Sequence, residues 1–198
     1  MAEISAAMVK ELREKTGSGI MDCKKALKES DGDVAQALDF LRKKGLAAAA
    51  KRSARATSEG TVMSYIHMGG KIGVMVEVNC ETDFVAKNED FQAFAKDVAM
   101  HIAAVNPAGL APEDIPEEVV AKEREIYRER ALEQGKPENI VDKIVEGQVQ
   151  KFYKDSCLMS QAYVKNPQIT IEDYTKEVIG KMGENIRVRR FVRYQLGE

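Results

Sequence analysis

Residues 61–79 read TVMSYIHMGGKIGVMVEVN. Thr61 to His67 is rich in β-forming residues, Gly69-Gly70 suits a tight turn, and Lys71 to Asn79 alternates. Ile72, Val74, Val76 and Val78 fall on one face of that second run, because side chains in a strand alternate with period two. Two strands joined by Gly-Gly read as a β-hairpin. A third strand is expected over Ile186 to Leu196, where Ile186, Val188, Val192, Tyr194 and Leu196 share parity. Arg190 breaks that face, so a bulge or an edge position is expected there. Between the strands the period changes to that of helices. Phe91, Phe94, Ala95, Val98 and Ile102 mark a helix over Glu89 to Val105, ended by Asn106-Pro107. Pro116-Glu117-Glu118 starts another, running to about Glu133 with Gly135 as its stop. Pro137 opens a third with Ile140, Ile144, Val145 and Val149 inside and Phe152 near its end, and a fourth lies around Ile171 to Lys181. The fold class is therefore α+β: residues 61–198 form a core of small antiparallel sheet, about three strands, packed with helices.

Upstream the grammar is wholly helical. Ser5 suits an N-cap for a helix to about Lys15, with Met8, Val9 and Leu12 on one face. Thr16-Gly17-Ser18-Gly19 breaks the chain. A second helix, Ile20 to Glu29, turns Cys23, Ala26 and Leu27 inward. Asp31-Gly32-Asp33 turns again, and Asp33 can cap a third helix with Val34, Ala37, Leu38 and Leu41 inside and Gly45 as its stop. Residues 1–45 thus form a small three-helix module resembling a ubiquitin-associated (UBA) domain. Residues 46–60, LAAAAKRSARATSEG, have no apolar stripe and read as a linker, helical at first and flexible at its end.

Composition excludes several classes of function. The 198 residues carry 30 basic and 32 acidic groups, a net charge of −2, without the basic excess of a dedicated nucleic-acid binder. The charge is uneven, +3 over residues 1–60 and again over 147–198. Neither Lys51-Arg52-Ser53-Ala54-Arg55 nor the group Arg187, Arg189, Arg190 and Arg193 is interleaved with stacking aromatics, so a linker and a strand face account for them. Three cysteines, Cys23, Cys80 and Cys157, are too few and too scattered for a zinc site or a disulfide framework. The N-terminus shows no basic-then-apolar signal pattern, and no apolar run is long enough to span a bilayer. A soluble, cytoplasmic chain with no membrane partner is expected. There is no GxxxxGK[ST], GxGxxG or HExxH, so no cofactor, phosphate loop or metal helix is expected.

Two features remain. Cys80 with His67 or His101 would in principle make a nucleophile. A free cysteine ending an apolar strand is, however, usually a small buried hydrophobe, so no enzyme is expected. The second is Thr82-Asp83-Phe84-Val85, in a short connection between a strand and a helix. A lone Phe on such a turn either tucks into the core or is presented outward as a binding anchor, whose truncation costs ~2 kcal/mol or more. Spacing alone leaves both readings open.

The stretch EVNCETDFVAKNEDFQAFA, residues 77–95, resembles the translation elongation factor Ts family, whose signature includes a T-D-F-V turn after an E-V-N-C strand. TGSGIMDCKKAL, residues 16–27, is similar to that family's N-terminal motif. MHIAA with its following Asn-Pro, GKPENIVDKIVEG and the terminal RVRRFVRYQLGE are similar to its core segments. The resemblance runs in order along essentially the whole chain. It implies a guanine-nucleotide exchange factor whose partner is elongation factor Tu, bound to GDP or nucleotide-free. It further implies that Phe84, helped by Thr82, Asp83 and Val85, enters an apolar pocket of the GTPase domain and dislocates Mg²⁺ and the phosphates. Leu12, Met21 and Lys24 of the N-terminal module are implied as contacts, and His101, beside the turn, more weakly, with core packing as its competing role. Longer family members resemble two fused cores where this chain shows one. A homodimer, with residues 61–198 as its dimerisation domain, is the corresponding expectation.

Overall fold

The computed structural model describes residues 4–198; the first three residues of the expected helical module lie outside the described residues. The order is α1 (Ala6–Thr16), α2 (Ile20–Glu29), α3 (Val34–Arg52), β1 (Glu59–His67), β2 (Ile72–Cys80), α4 (Asp83–Ala86), α5 (Glu89–Val105), α6 (Glu117–Glu133), α7 (Glu138–Ser156), β3 (Ala162–Tyr163), β4 (Asn166–Thr170), α8 (Ile171–Met182) and β5 (Arg187–Gln195). A three-stranded sheet has the order β1-β2-β5, and β3 pairs antiparallel with β4 in a second, two-stranded sheet. The fold is α+β, as expected, with the β3–β4 pair added; its run of Val-Lys-Asn-Pro gave no alternating pattern to read.

The N-terminal helices form where local chemistry starts and stops them. The Ser5 hydroxyl accepts from the Met8 N–H, and the Asp33 carboxylate accepts from the Gln36 N–H at 3.0 Å. Gly17, at φ 65°, ends α1 in the left-handed conformation that only glycine adopts freely, and its N–H bonds to the Arg13 carbonyl. Val9, Leu12, Cys23, Ala26, Leu27, Ala37 and Leu41 close a single small core, with Met8 and Val34 packed against it. Leu38, expected inside, is 37% exposed.

Gly45 does not end α3, which continues to Arg52. The alanines after it are the strongest helix formers available. Gly45 has another role: a Cβ placed on Gly180 of α8 would lie 3.2 Å from the Gly45 Cα. Glycine on both helices permits that approach. Ala49 is buried too, so this helical extension docks through small side chains that leave no apolar stripe to read.

Contacts divide the chain into two compact units: the chain through Met63 with Val76–Asp97 and Asp173–Arg189, and Ser64–Met75 with Val98–Glu172 and Arg190–Glu198. Within the second, α6 and α7 pair around Val120, Ala131, Val141, Val145 and Val149. Val141, not the expected Ile140, takes the inner position. The inward set of β2 is as expected, with Val74, Val76 and Val78 buried and Cys80 extending it. In β5, an edge strand, the irregularity expected at Arg190 is present, and only the apolar parity beyond it differs from expectation. Arg189 and Arg190 are exposed in succession, which shifts the alternation by one, so Phe191 and Arg193 turn inward. Val192, Tyr194 and Leu196 are left 39%, 71% and 80% exposed.

Candidate functional site

Strand β2 delivers the chain to the turn with its register fixed, because a slip of one residue would expose its whole apolar face. Thr82 then caps the four-residue helix α4, its backbone extended and its hydroxyl accepting from the Val85 N–H at 3.4 Å. Val85 and Ala86 are buried. Successive helical residues are about 100° apart, so burying these two turns the preceding pair to solvent. Phe84 is 80% exposed. Of the two readings that spacing left open, the outward one is realised. Leaving a phenylalanine in water forgoes roughly 1.5–3 kcal/mol of burial, which the rest of the fold must make good.

What holds the turn comes from far along the chain. One oxygen of the Glu184 carboxylate accepts from the backbone N–H groups of Glu81 and Thr82, at 3.1 and 3.0 Å. The other accepts from the Thr82 hydroxyl at 2.7 Å. The arrangement is reciprocal: Glu81 Oε1 accepts from the Asn185 N–H at 2.6 Å and from the Arg55 guanidinium at 3.4 Å. Asn185, 2% exposed, donates through Nδ2 to the carbonyls of Ser53 and Arg55. Sequence reading did not find Glu184 or Asn185; nothing local in Gly-Glu-Asn reveals a partner a hundred residues away.

Asp83 also faces solvent and pairs with Lys87 at 2.7 Å, one helical turn on. That hydrogen bond and the lysine's charge hold the Asp83 carboxyl below its ordinary range. At the outer end of the turn there is thus an apolar ring flanked by a carboxylate that stays ionised. Thr82 and Val85 hold; Asp83 and Phe84 are presented.

Cys80 is wholly buried and its thiol donates to the Thr82 carbonyl at 3.1 Å. Burial, reinforced by the negative charge of Glu184, pushes its pKa to about 11, away from the nucleophilic thiolate. The histidines are engaged elsewhere. His67 Nδ1 lies 3.0 Å from the Tyr65 hydroxyl. His101 is wholly buried: its Nδ1 accepts from the Val164 N–H, which leaves Nε2 to donate to Gln161 Oε1 at 3.1 Å. Burial lowers its pKa, so it stays neutral.

The other expected contact residues divide in the same way. Leu12 is wholly buried in the bundle core, and His101 is wholly buried in its own, where it fills the packing role that was its competing reading. Met21 is 74% exposed, Ile20 beside it is 55% exposed, and Lys24 is exposed one turn along the same helix. Two of the arginines weighed as nucleic-acid contacts are occupied, Arg55 by Glu81 and the nearly buried Arg193 by Glu198. Among the described residues no cluster of His, Cys, Asp and Glu could hold a metal ion, and no helix is long and apolar enough to cross a membrane.

The chain is similar to known proteins over its whole length. A family model described as Elongation factor TS matches residues 3–198. An elongation factor Ts of Desulfosudis oleivorans is 66% identical over 198 residues, 100% of both chains. Those of Geobacter sulfurreducens and Syntrophus aciditrophicus are each 60% identical over 195 residues, 98% of this chain and 90% and 97% of theirs. With agreement of that extent, the chain belongs to the elongation factor Ts family.

Proposed function

We propose that the protein is a guanine-nucleotide exchange factor for elongation factor Tu in the cytoplasm, and that it acts by pushing the Thr82–Val85 turn into the GTPase domain. The observation that carries this reading is the 80% exposure of Phe84 on a capped, tethered turn. The ring enters an apolar pocket, Asp83 fixes its approach, and the partner's hold on Mg²⁺ and the nucleotide phosphates is weakened. No covalent chemistry is needed. Residues 1–45 form the docking module, with Met21 and Lys24 on its outer face; 46–60 is the connector and 61–198 the core. His101 and Leu12 contribute by holding their surroundings in shape.

Magnitudes apportion the work. Each tenfold loss of nucleotide affinity requires about 1.4 kcal/mol of coupling. One buried phenylalanine supplies roughly 1.5–3 kcal/mol, so the docking module must add most of the grip for a large acceleration. Linkage makes the effect reciprocal: GDP weakens binding of the factor as much as the factor weakens GDP.

The core acts as a homodimer in this reading. Supporting it, Ile66, Met68, Met75, Val192, Tyr194 and Leu196 are all exposed apolar side chains that a second copy could cover. Sedimentation at micromolar concentration tests that part, and a clean monomer rejects it. Release of fluorescent GDP from elongation factor Tu tests the whole. The wild-type chain should accelerate release and Phe84→Ala should lose most of the acceleration. No acceleration by the wild type would reject exchange; full activity of the variant would reject the role of Phe84.

A further inference from the structure

We infer that Glu184 is a positioning residue for nucleotide exchange: its carboxylate sets the direction in which Phe84 leaves the fold. The inference rests on the exchange reading above and adds to it a residue that the resemblance did not supply.

Phe84 cannot orient itself, because it is mostly in solvent and its direction follows from the backbone of residues 81–86. That backbone is a poor support alone. Helix α4 has four residues, closed by Ala86 N–H to the Thr82 carbonyl and Lys87 N–H to that of Asp83, both at 3.1 Å, while Asn88 N–H to the Val85 carbonyl and Gln92 Nε2 to the Ala86 carbonyl hold only its exit. A single turn is costly to nucleate and gains few bonds in return. The missing restraint arrives at the entrance. Glu184 gathers the two N–H groups that precede the helix and the hydroxyl that caps it. By accepting the hydrogen bond from the Thr82 hydroxyl it also leaves that oxygen's lone pairs for the Val85 N–H, so a relay runs from Val85 through Thr82 to Glu184. Bonds to an ionised carboxylate are shorter and stronger than neutral ones.

The clamp is itself anchored. Gly183 turns the chain at φ 78°, Asn185 bonds back to Glu81 and to the connector carbonyls of Ser53 and Arg55, and α8 precedes it. Glu184 therefore stands on a fixed loop, and the wedge is stiff at its base while its tip is free. An exchange factor needs that combination, since force applied to a partner through a yielding turn would bend the turn instead.

The test uses the full chain with GDP-loaded elongation factor Tu and fluorescent GDP, titrating the factor to saturation. Glu184→Ala should lower the maximal release rate about tenfold, equivalent to about 1.4 kcal/mol, while the half-saturating concentration moves little. Glu184→Gln, which keeps one acceptor oxygen for the two backbone N–H groups but puts a donor where the Thr82 hydroxyl needs an acceptor, should recover only part of that loss. In a Phe84→Ala background, Glu184→Ala should have no further effect. The inference is overturned if Glu184→Ala keeps the wild-type maximal rate, if its loss lies wholly in the half-saturating concentration, or if it costs as much without Phe84 as with it. Should Glu184→Ala fail to fold, Glu184→Asp, which keeps the carboxylate but withdraws it by one methylene from Glu81 and Thr82, carries the same test, with a smaller drop in maximal rate expected and an unchanged rate overturning the inference. A wild-type chain that never accelerates release would instead remove the exchange reading on which this one stands.

Discussion

In the bundle of α1–α3, the capping bonds are local: Ser5 with Met8, Gly17 with Arg13, Asp33 with Gln36. In the turn that presents Phe84, the deciding bonds to Glu81 and Thr82 come from Glu184, 103 and 102 positions away. The bundle is thus specified by local propensity, and the turn by the completed fold around it. The difference teaches that the turn carrying Phe84 is restrained by the loop after α8 as well as by its own residues.

Substitutions can break or sharpen that contrast. Leu12→Ala should give the largest effect, a loss of about 2–5 kcal/mol in denaturant unfolding, because the side chain is wholly buried among Cys23, Ala26 and Leu27. An unchanged midpoint would mean that the bundle core is not where the local rules put it. Asn185→Ala should cost about 1–3 kcal/mol by the same measurement, since it strips the buried donor from two carbonyls across the first unit. A change below error would show that the long-range joint is dispensable.

Next in size is a pH effect at Cys80. Its folded pKa, about 11, lies above the ordinary 9.0, so the folded state holds the proton more tightly. Its contribution is complete below pH 9 and is lost as pH rises towards 11. Thermal unfolding midpoints should fall over that window less steeply in Cys80→Ala than in the wild type, and parallel slopes would contradict the assignment. The smallest stability effects are expected at Met21→Ala and Asp83→Asn, whose side chains face solvent. Neither should shift the unfolding midpoint beyond error, while affinity for elongation factor Tu, measured by calorimetry, should weaken in both.

The same contrast explains what the sequence disclosed. Caps, glycine turns and apolar periodicities are local, so α1, α2, the hairpin and the helices from α5 to α8 were legible. Gly45 was misread because a glycine that ends a helix and one that admits a neighbouring helix look alike until Gly180 is placed opposite. The β5 parity failed at Arg189-Arg190, where two exposed residues in succession shift the alternation and a strict period-two reading carries straight on. At the site, T-D-F-V was recognisable, but spacing did not fix the direction of Phe84. That direction depends on which neighbours are buried, and here they are Val85 and Ala86. Leu12 and His101 were offered as contacts through resemblance to motifs, and a motif does not tell a surface residue from a buried one; both are wholly buried.

The most direct measurement is single-turnover release of fluorescent GDP from elongation factor Tu at saturating factor, comparing the wild type with Phe84→Ala of matched thermal stability. An exposed side chain should be removable without cost to the fold. A variant that still binds and melts like the wild type but has lost most of the acceleration is the predicted result. A variant that releases GDP at the wild-type rate would contradict the account that the Thr82–Val85 turn drives exchange.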